Sequence, residues 1–568
     1  MRIPETLRPL FQAFSDLNRL AYHHPALQAN YVLRKTPPAG ETLLPPEQTD
    51  PSTLPGQSHA SPHRVSRRML VRSVFAYYAI NSIYFCLLLC KKAAHALAGV
   101  REVPFSPTAS ALPARPVIID SFVVVDATVA NRHWRDTYFP GLAPALESHG
   151  YQPVLMPRFY GSHNPLALFR TLRILRTQGI PLVTEYGLLT FGDYLRILGL
   201  MLSMPVLLLR VLRQASQTPH PHTDSAYARA VRHRDYLLIR GLASGHLAPM
   251  VRRVAARRLG THLPPHAKTI SWFENQSIDA CFMAGLHETA PTVTRYGAQL
   301  LLWADSLLNA HADDTDIPFG LAPDVPMATG PYFFPADSTQ EYRTGPALRY
   351  AYLFGPDSIV RRNPQGPILV LLSYHHEETV RILTAVQQLT ASRTAFSSAP
   401  ASSGSSGIPG SPGSLGSRNA PDTPGAPFSA ARPAFRFRFH PATRPEHYAS
   451  LLPADVHLSQ GSMHDALREA SLVVGSGTGA LAEAVACGIP AINITEAGRL
   501  CHCFLPPFGK GLLWDTCDVS ASLSDVRDRL EAAQHPLSPD ALRGHSRTFR
   551  DLLFQEPTPR AIANAFDL

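Results

Sequence analysis

The sequence predicts an α/β protein with two doubly wound domains, preceded by a helical extension and followed by closing helices. Short, almost continuously apolar runs such as 117–126 and 368–373 are typical of strands that are covered on both faces of a parallel sheet. Helical segments alternate with these runs, as in repeated β-α units. A chain of 568 residues is also too long for a single hydrophobic core.

The composition is that of a folded protein with an excess of basic residues. Hydrophobic residues make up 45% of the chain and charged residues 17%, and the formal net charge is +9. This charge fits nucleic acid, an anionic membrane surface or an anionic substrate as partner. Because the arginines are dispersed and no Lys/Arg block is interleaved with aromatic residues, the sequence favours membrane or phosphate partners and no nucleic acid.

The seven cysteines follow no disulfide-framework spacing, which predicts free thiols in a reducing compartment. Cys501, His502 and Cys503 form the one local cluster that suggests a metal. A zinc site needs four ligands, and no second pair of ligands is evident, so the sequence predicts no metal site.

Residues 1–112 form the predicted N-terminal extension. The segment 37–62 is rich in Pro, Ser and Thr and is predicted to be unstructured. No cleavable signal peptide is evident at the start of the sequence. The run 73–90 is uncharged and lies between Arg72 and Lys91, which predicts an apolar helix. Three interpretations stay open: a helix at the membrane interface, a spanning helix, or a helix buried in a soluble protein.

A second apolar stretch lies within residues 193–213 and is edged by Arg196, Arg210 and Arg213. It is too short to span a bilayer comfortably. Its apolar side either meets a membrane surface or packs in a protein core, and the sequence favours neither.

Residues 113–318 are predicted to form the first doubly wound domain. Apolar runs at 117–126 and 269–273 predict two of its strands, with helices between them. Asp126 and Glu274 stand at the carboxyl ends of these predicted strands. In open α/β sheets the ligand crevice lies at this edge, so both carboxylates are candidates for chemistry.

Residues 319–518 are predicted to form the second domain, and residues 519–568 are predicted to form two closing helices. The strand 368–373 and the alternating run 435–439 belong to this second domain. Between them, residues 391–431 are dominated by Ser, Pro, Gly and Ala and predict a disordered insertion. A long surface insertion need not disturb the sheet that carries it.

The most informative stretch of the second domain is 472–494, with the sequence LVVGSGTGALAEAVACGIPAINI. It predicts a strand, a loop of small residues, a helix and a second strand, which together form a βαβ unit. Such a loop faces the ligand crevice of an open sheet, and the N–H groups at the start of the helix suit a phosphate. In the alternative interpretation, the glycines serve only the turn.

The predicted phosphate site combines this loop with His440, which follows the strand 435–439. Glycines let the backbone approach a pyrophosphate closely, and hydroxyl and imidazole groups can donate to its oxygens. Glu483 lies about one turn into the helix and can accept from ribose hydroxyls. Taken alone, His440 is better explained as an ordinary surface histidine and Glu483 as a solvated helix residue, and only their joint placement at strand ends favours a site. The predicted binding residues are His440, Gly475, Ser476, Gly477, Thr478, Gly479 and Glu483.

These motifs resemble the nucleotide-binding half of GT-B glycosyltransferases, most closely the bacterial enzymes of capsule and surface-polysaccharide synthesis. The resemblance extends to the CDP-glycerol phosphotransferases and to the UDP-N-acetylglucosamine 2-epimerase type. The run 483–490 matches the E-A-x-x-x-G-x-P pattern of these families, and 272–276 is similar to a W-x-E-N-Q-like segment of surface-carbohydrate transferases. The resemblance covers about residues 113–518. The E-x7-E pattern of the families is absent, since Gly475 stands eight residues before Glu483.

The resemblance implies two Rossmann-like domains in a GT-B-like arrangement. It implies metal-independent transfer of a sugar, without a cofactor, from a nucleotide-sugar donor to a surface-polysaccharide or lipid-linked glycan acceptor. A general base for the acceptor hydroxyl is expected from the first domain, across the cleft, with Glu274 as the first candidate and Asp126 as the second.

The expected location is the cytoplasm, peripheral on the inner membrane of a bacterium, as for enzymes of capsule or lipopolysaccharide synthesis. Two alternatives stay open. One is a sugar-nucleotide epimerase of the same fold, against which the apolar helices argue because an epimerase has no lipid-linked substrate. The other is a non-catalytic, membrane-associated scaffold for polysaccharide assembly or export.

Overall fold

The computed structural model divides the chain into two compact units. Unit 1 comprises Met1–Ile359, Ala497–Phe508 and Gly544–Leu568, and unit 2 comprises Val360–Glu496 and Gly509–Arg543. The residues described are 1–36, 65–100, 115–218, 225–355, 358, 366–373, 376–397, 435–440, 443, 445–452, 457–497 and 499–568. This division differs from the predicted boundaries: the extension 1–112 and the domain 113–318 lie together in unit 1, and the segment 519–568 is shared between the units.

Unit 1 is built on a sheet of six parallel strands in the order β2-β1-β3-β4-β5-β6. The strands are β1 (Pro116–Val124), β2 (Gln152–Tyr160), β3 (Lys268–Trp272), β4 (Thr294–Gln299), β5 (Val325–Ala328) and β6 (Arg343–Thr344). Alternate side chains of β1 enter two different cores, with Ile118 in one and Val117 and Ile119 in the other. Helices therefore cover both faces of this sheet, which explains why its first strand is almost continuously apolar.

Eleven of the described α-helices precede unit 2 in the chain. They are α1 (Arg8–Ala21), α2 (Pro25–Gln28), α3 (Arg67–Ala98), α4 (Val125–Asn131), α5 (Leu142–Ser148), α6 (Pro165–Thr177), α7 (Glu185–Leu188), α8 (Phe191–Gln217), α9 (Ser225–Gly241), α10 (Leu247–Gly260) and α11 (Ser277–Thr289). All of them except α4 and α5 contribute side chains to the larger core of unit 1, on the face of the sheet that Ile118 enters, whereas α5 packs on the opposite face.

The predicted N-terminal helical extension is present, but it is an integral part of unit 1. Leu10, Phe14 and Leu17 of α1 and Leu27 of α2 are buried in the same core as α8 to α11. Burial of apolar surface contributes about 25 cal/mol per Å². Deleting α1 and α2 would expose this part of the core to water and would therefore destabilise the whole unit. The extension is therefore not a detachable appendage.

Helix α3 contains the predicted apolar helix 73–90 and extends it at both ends. Tyr77, Asn81 and Leu88 on one side of α3 are buried, whereas the opposite side is exposed. The second predicted apolar stretch, 193–213, lies in α8, whose buried side belongs to the core of unit 1. Both helices are long and apolar enough to cross a membrane, by length and composition.

Unit 2 contains a second sheet of six parallel strands in the order β12-β11-β10-β7-β8-β9. The strands are β7 (Ile368–Leu371), β8 (Phe435–Arg438), β9 (His457–Leu458), β10 (Leu472–Gly475), β11 (Ala491–Thr495) and β12 (Trp514–Asp518). The remaining helices are α12 (His376–Ser397), α13 (Met463–Glu469), α14 (Ala480–Ala486), α15 (Leu523–Gln534), α16 (Pro539–Leu553) and α17 (Pro559–Phe566).

The two six-stranded parallel sheets, each with helices, confirm the predicted pair of Rossmann-like domains. The segment 519–568 forms three helices where two were predicted, because α15 packs on the sheet of unit 2 and α17 returns to that of unit 1. Helix α12 continues to Ser397, so the first residues of the predicted insertion 391–431 are helical. The rest of that insertion, and the segment 37–62, lie outside the described residues.

Candidate functional site

The strand order of unit 2 places the small-residue loop at a topological switch point. Strands β7 and β10 are neighbours, and the sheet continues from β7 to β8 and β9 but from β10 to β11 and β12. Chain connections leave such a strand pair in opposite directions, which opens a crevice at the carboxyl ends of the two strands. Gly475 is the last residue of β10, so the loop 475–479 begins at this crevice.

Two buried polar side chains beside this loop lack hydrogen-bond partners within the described part of the chain. Ser476 is fully buried and its hydroxyl has no partner. Asn493 lies directly opposite Gly475 in the β10–β11 register, and neither atom of its buried side-chain amide has a partner. A buried polar group without a hydrogen-bond partner costs about 1–3 kcal/mol of folding free energy. A ligand that forms hydrogen bonds with these two side chains would recover part of this cost on binding.

Glu378 is a candidate that the sequence interpretation missed. It lies in the first turn of α12, which follows β7, and its buried carboxylate accepts from the Ser373 hydroxyl at 2.5 Å. Gly477 has a φ of +60°, and a Cβ atom at this position would overlap the Glu378 carboxylate. The sequence does show that Glu378 follows a predicted strand, as Glu274 does. It does not show that β7 lies next to β10, which is what brings Glu378 to the loop.

Replacing Gly477 by alanine should therefore destabilise unit 2 by more than the cost of placing alanine in a left-handed backbone conformation. A left-handed conformation costs a residue with a Cβ atom roughly 1–3 kcal/mol, and the overlap with Glu378 should add about 1–3 kcal/mol. Gly511→Ala is the matched control, since Gly511 has a φ of +77° and its Cβ would meet nothing within 4 Å. Urea unfolding of both variants measures the difference; equal destabilisation would show that Glu378 does not pack against the loop.

The other predicted binding residues, His440 and Glu483, lie at the same edge of the sheet but not at the switch point itself. His440 is exposed and follows β8, so β7 separates it from the glycine loop. Two strand spacings correspond to about 10 Å. Glu483 is half-buried in the first turn of α14.

The contribution expected from the N-terminus of α14 needs correction. This helix has seven residues, about two turns, so few peptide dipoles are aligned along it. The hydroxyl of Thr478 already accepts from the Ala480 N–H at 3.3 Å. A phosphate at this edge of the sheet would therefore depend on the loop itself, whose glycines let its backbone amides be approached closely.

Glu274 lies at the corresponding switch point of unit 1. The order β2-β1-β3 makes β1 and β3 neighbours, and Glu274 follows β3 by two residues. Its two carboxylate oxygens accept from the Trp272 indole N–H and from the Gln276 amide, both at 2.9 Å. Burial raises the pKa of the Glu274 carboxyl, and the nearby charge of Asp279 raises this pKa further. A carboxylate with a raised pKa is a stronger base, which suits proton abstraction near neutral pH.

Asp126 does not end a strand, contrary to the prediction. Strand β1 stops at Val124, and Asp126 is exposed in the first turn of α4. Because Asp120 pairs with Ser271, β1 runs three residues past the level of Trp272, or about 10 Å. The structure therefore separates Asp126 from the end of β3 and leaves its side chain exposed.

Two further side chains next to Glu274 were not recognised from the sequence. The Tyr138 ring packs edge-on against Trp272, with 4.8 Å between ring centroids. The guanidinium of Arg349 lies 5.4 Å from the centre of the Tyr138 ring and partly offsets the raised pKa of Glu274. The sequence interpretation placed Arg349 in the second domain, whereas it belongs to unit 1.

A buried ionic network holds the backbone around Glu274. The Asp279 carboxylate accepts from the backbone N–H groups of Glu274 at 2.9 Å and of Gln276 at 3.0 Å. Arg158 donates to Asp279 and, at 2.7 Å, to Asp120. Burial alone would raise the pKa of Asp120, but Arg158 and Arg252 hold this pKa below its usual range. The network therefore fixes the turn that carries the candidate base.

Cys501, His502 and Cys503 lie in unit 1, and His502 contacts the Ser306 hydroxyl at 2.8 Å. The Cys503 thiol donates to the backbone oxygen of Leu505 at 3.7 Å. Over the described ranges, no group of three or more His, Cys, Asp or Glu side chains is placed to hold a metal ion.

Comparison with known proteins finds similarity to solved structures only. No protein-family model and no curated protein sequence matches the chain. The glycosyltransferase VinC in complex with DTDP is 13% identical, with 80% of this chain and 99% of that chain covered and a TM-score of 0.33. An α,α-trehalose-phosphate synthase (UDP-forming) from Burkholderia vietnamiensis is 13% identical over 80% and 99% of the two chains, with a TM-score of 0.37. A UDP-GlcNAc 2-epimerase from Neisseria meningitidis bound to UDP-GlcNAc is 9% identical over 80% and 97%, with a TM-score of 0.36.

Proposed function

We propose that this chain is a glycosyltransferase of the GT-B type that moves a sugar from a nucleotide-sugar donor to a surface-polysaccharide or lipid-linked glycan acceptor. The observation that carries the proposal is the switch point of unit 2, where a loop of small residues meets two buried, unpaired polar side chains, Ser476 and Asn493. A nucleoside diphosphate offers the oxygens that such a loop and such side chains can bind.

The donor would bind through three kinds of group. The loop amides around Gly477 and Gly479 and the Ser476 hydroxyl donate to phosphate oxygens. The Asn493 amide can both donate and accept, so it can pair with a base or sugar edge. Carboxylates next to the loop, on Glu378 and Glu483, would accept from hydroxyls of the ribose or of the transferred sugar.

In the proposed reaction the acceptor hydroxyl oxygen forms a bond to the anomeric carbon of the donor sugar. The bond from that carbon to the phosphate oxygen breaks, and its electron pair leaves with the nucleoside diphosphate. Glu274 takes the proton of the acceptor hydroxyl, for which its raised pKa suits it. The loop amides and the Ser476 hydroxyl stabilise the charge that develops on the diphosphate.

We also propose that the protein works on the cytoplasmic side of a bacterial inner membrane. Three features support this location: the resemblance of the loop and its flanking run to surface-polysaccharide transferases, the excess of basic residues, and the two long apolar helices. An acceptor carried on a lipid would bring the reaction to that surface.

Removal of the Ser476 hydroxyl should weaken the binding of nucleoside diphosphates by about tenfold or more, because a hydrogen bond to a charged oxygen contributes about 1.5–3 kcal/mol. His440→Ala and Glu483→Ala should weaken it by smaller factors, since neither side chain lies at the switch point. Calorimetric titration with UDP, CDP, GDP and TDP measures these affinities.

Ser471→Ala is the control for this series. Ser471 is also a buried serine of unit 2, but it lies at the amino end of β10 and donates to the backbone oxygen of Pro367. Its replacement should leave nucleotide affinity unchanged. If no nucleoside diphosphate binds the native protein, or if Ser476→Ala binds as the native protein does, the proposed donor site is wrong.

A further inference from the structure

Helix α3 presents an uncharged stripe to solvent along most of its length. Its large exposed apolar side chains include Phe75, which is 75% exposed, Ile83, which is 61% exposed, and Leu89, which is 46% exposed. Small or uncharged residues fill the same stripe between them: Ala79, Ser82, Cys86, Cys90 and Ala93. Soluble proteins rarely leave a contiguous apolar surface of this kind uncovered without a function for it.

Helix α8 presents a second exposed apolar stripe. Leu195, Leu202 and Val206 are 56%, 51% and 56% exposed. They recur at helical spacing, with Gly199 between the first two, so they share one side of the helix. The opposite side of α8 is buried in the core of unit 1 through Ile197, Met201, Met204 and Leu208.

The two stripes lie side by side. The Tyr78 hydroxyl of α3 donates to the backbone oxygen of Leu202 in α8 at 3.0 Å, and this bond lies at the surface. Lys92, near the end of α3, donates to the backbone oxygens of Tyr186 and Leu189, just before α8 begins. The helices therefore run antiparallel for about 20 Å, at 1.5 Å per residue. We name the surface formed by Phe75, Ile83, Leu89, Leu195, Leu202 and Val206 the α3/α8 face.

The inner sides of both helices are fixed within unit 1. Asn81 of α3 accepts from the His246 backbone N–H at 2.9 Å and donates to the Ser244 backbone oxygen at 3.3 Å. The Tyr77 hydroxyl donates to the backbone oxygen of Met201 at 2.8 Å. A helix that crossed a bilayer would have to give up these buried polar contacts, so the α3/α8 face can contact a surface without either helix spanning it.

The exposed charges of the two helices themselves are of one sign. Helix α3 contains no Asp or Glu, and the single carboxylate of α8, Asp193, is buried and paired with Arg258. The exposed charged side chains of the two helices are Arg67, Arg68, Arg72, Arg196, Arg210 and Arg213. A second copy of the same face would bring like charges together, whereas an anionic lipid surface complements them.

We infer that the α3/α8 face docks the protein onto the surface of a lipid bilayer that contains anionic headgroups. Phe75, Ile83 and Leu202 enter the boundary between headgroups and acyl chains, and the arginines contact the headgroups. The inference rests on the proposed membrane location and deepens it by naming the surface that makes the contact. Because it depends on unit 1 alone, its failure would leave the donor site in unit 2 untested, and nucleotide binding tests that site separately.

Vesicle sedimentation with the full chain tests the inference. The native protein should bind vesicles of phosphatidylcholine with phosphatidylglycerol and bind pure phosphatidylcholine vesicles more weakly, and added salt should weaken the binding. Ile83→Ser with Leu202→Ser should lower the partition coefficient by about tenfold or more, because two apolar side chains no longer leave water.

The double variant Ile317→Ser with Leu458→Ser is the matched control. It makes the same two chemical changes at exposed sites outside the face, where Ile317 is 41% and Leu458 is 46% exposed. Its partition coefficient should equal that of the native protein. Far-UV circular dichroism of both double variants should show native helix content.

A thiol label gives a second, independent measurement. Cys86 and Cys90 are the exposed cysteines of the chain, and both lie on the stripe of α3, whereas the other five are buried or half-buried. A polarity-sensitive fluorophore on these thiols should shift to shorter wavelength when anionic vesicles are added. Three results would overturn the inference: no vesicle binding, equal loss of binding in both double variants, or a native dimer that only Ile83→Ser with Leu202→Ser dissociates.

Discussion

Glu274→Gln should lower the turnover number for sugar transfer by about 10²–10⁴-fold, the contribution typical of a positioned general base. Glutamine keeps the size of the side chain and an oxygen that can accept from the Trp272 indole N–H, so the turn should stay folded. What the variant loses is a basic carboxylate. Steady-state kinetics with a nucleotide-sugar donor and a glycan acceptor measure the loss.

The role of Glu274 as a base also predicts the direction in which the turnover number changes with pH. Burial raises the pKa of the Glu274 carboxyl, so the base is protonated up to a higher pH than an exposed carboxylate with a pKa near 4.3. The turnover number of the native protein should therefore rise with pH through a value above that range, and Glu274→Gln should lack this rise. Asp126→Asn is the control, since Asp126 is exposed. Full activity of Glu274→Gln together with loss of activity in Asp126→Asn would transfer the role to Asp126.

The largest effect on stability is expected at Arg158. Arg158→Met should lower the free energy of unfolding by about 3–5 kcal/mol, because it leaves Asp279 buried without its cation and leaves Asp120 paired with Arg252 alone. All three side chains are almost fully buried, so water cannot replace the missing charge. Urea unfolding of the full chain, followed by tryptophan fluorescence, measures the change, since three of the four tryptophans, Trp134, Trp272 and Trp303, lie in unit 1.

Arg19→Met is the matched control for this experiment. Arg19 also faces an aspartate, Asp16 at 3.8 Å, but its side chain is 66% exposed, so its loss should change the free energy of unfolding by less than about 1 kcal/mol. The pKa of Asp120 is held below its unfolded value. The ionic contribution is therefore present above about pH 4 and is lost as the pH falls through the folded pKa. Equal effects of the two substitutions would show that the buried network does not stabilise the unit.

The central βαβ unit was recognisable from sequence because its signals are local. An apolar run, small residues and a closing glycine-proline pair specify strand, loop and helix over little more than 20 residues, and the structure has β10, α14 and β11 there. The end of β1 was not recognisable in the same way. Val123, Val124 and Val125 continue one β-branched run, yet α4 begins at Val125, so packing rather than propensity sets the boundary.

The missed residues of the candidate site share one cause. Glu378 contacts the glycine loop only because β7 lies next to β10, and Asn493 faces Gly475 only through the β10–β11 register. Strand order and register are long-range properties that no local pattern encodes. The docking of α1 and α2 has the same origin: the pattern shows which side of a helix is apolar, but not which core receives it.

The most direct test of the account is the release of nucleoside diphosphate from a panel of nucleotide sugars, measured with and without a lipid-linked glycan acceptor. We predict release from at least one donor that requires the acceptor and that falls by about 10²–10⁴-fold in Glu274→Gln. Binding of the nucleotide without release from any donor would contradict the transferase and leave a scaffold. Conversion of the donor to an epimer without an acceptor would contradict it as well, in favour of an epimerase.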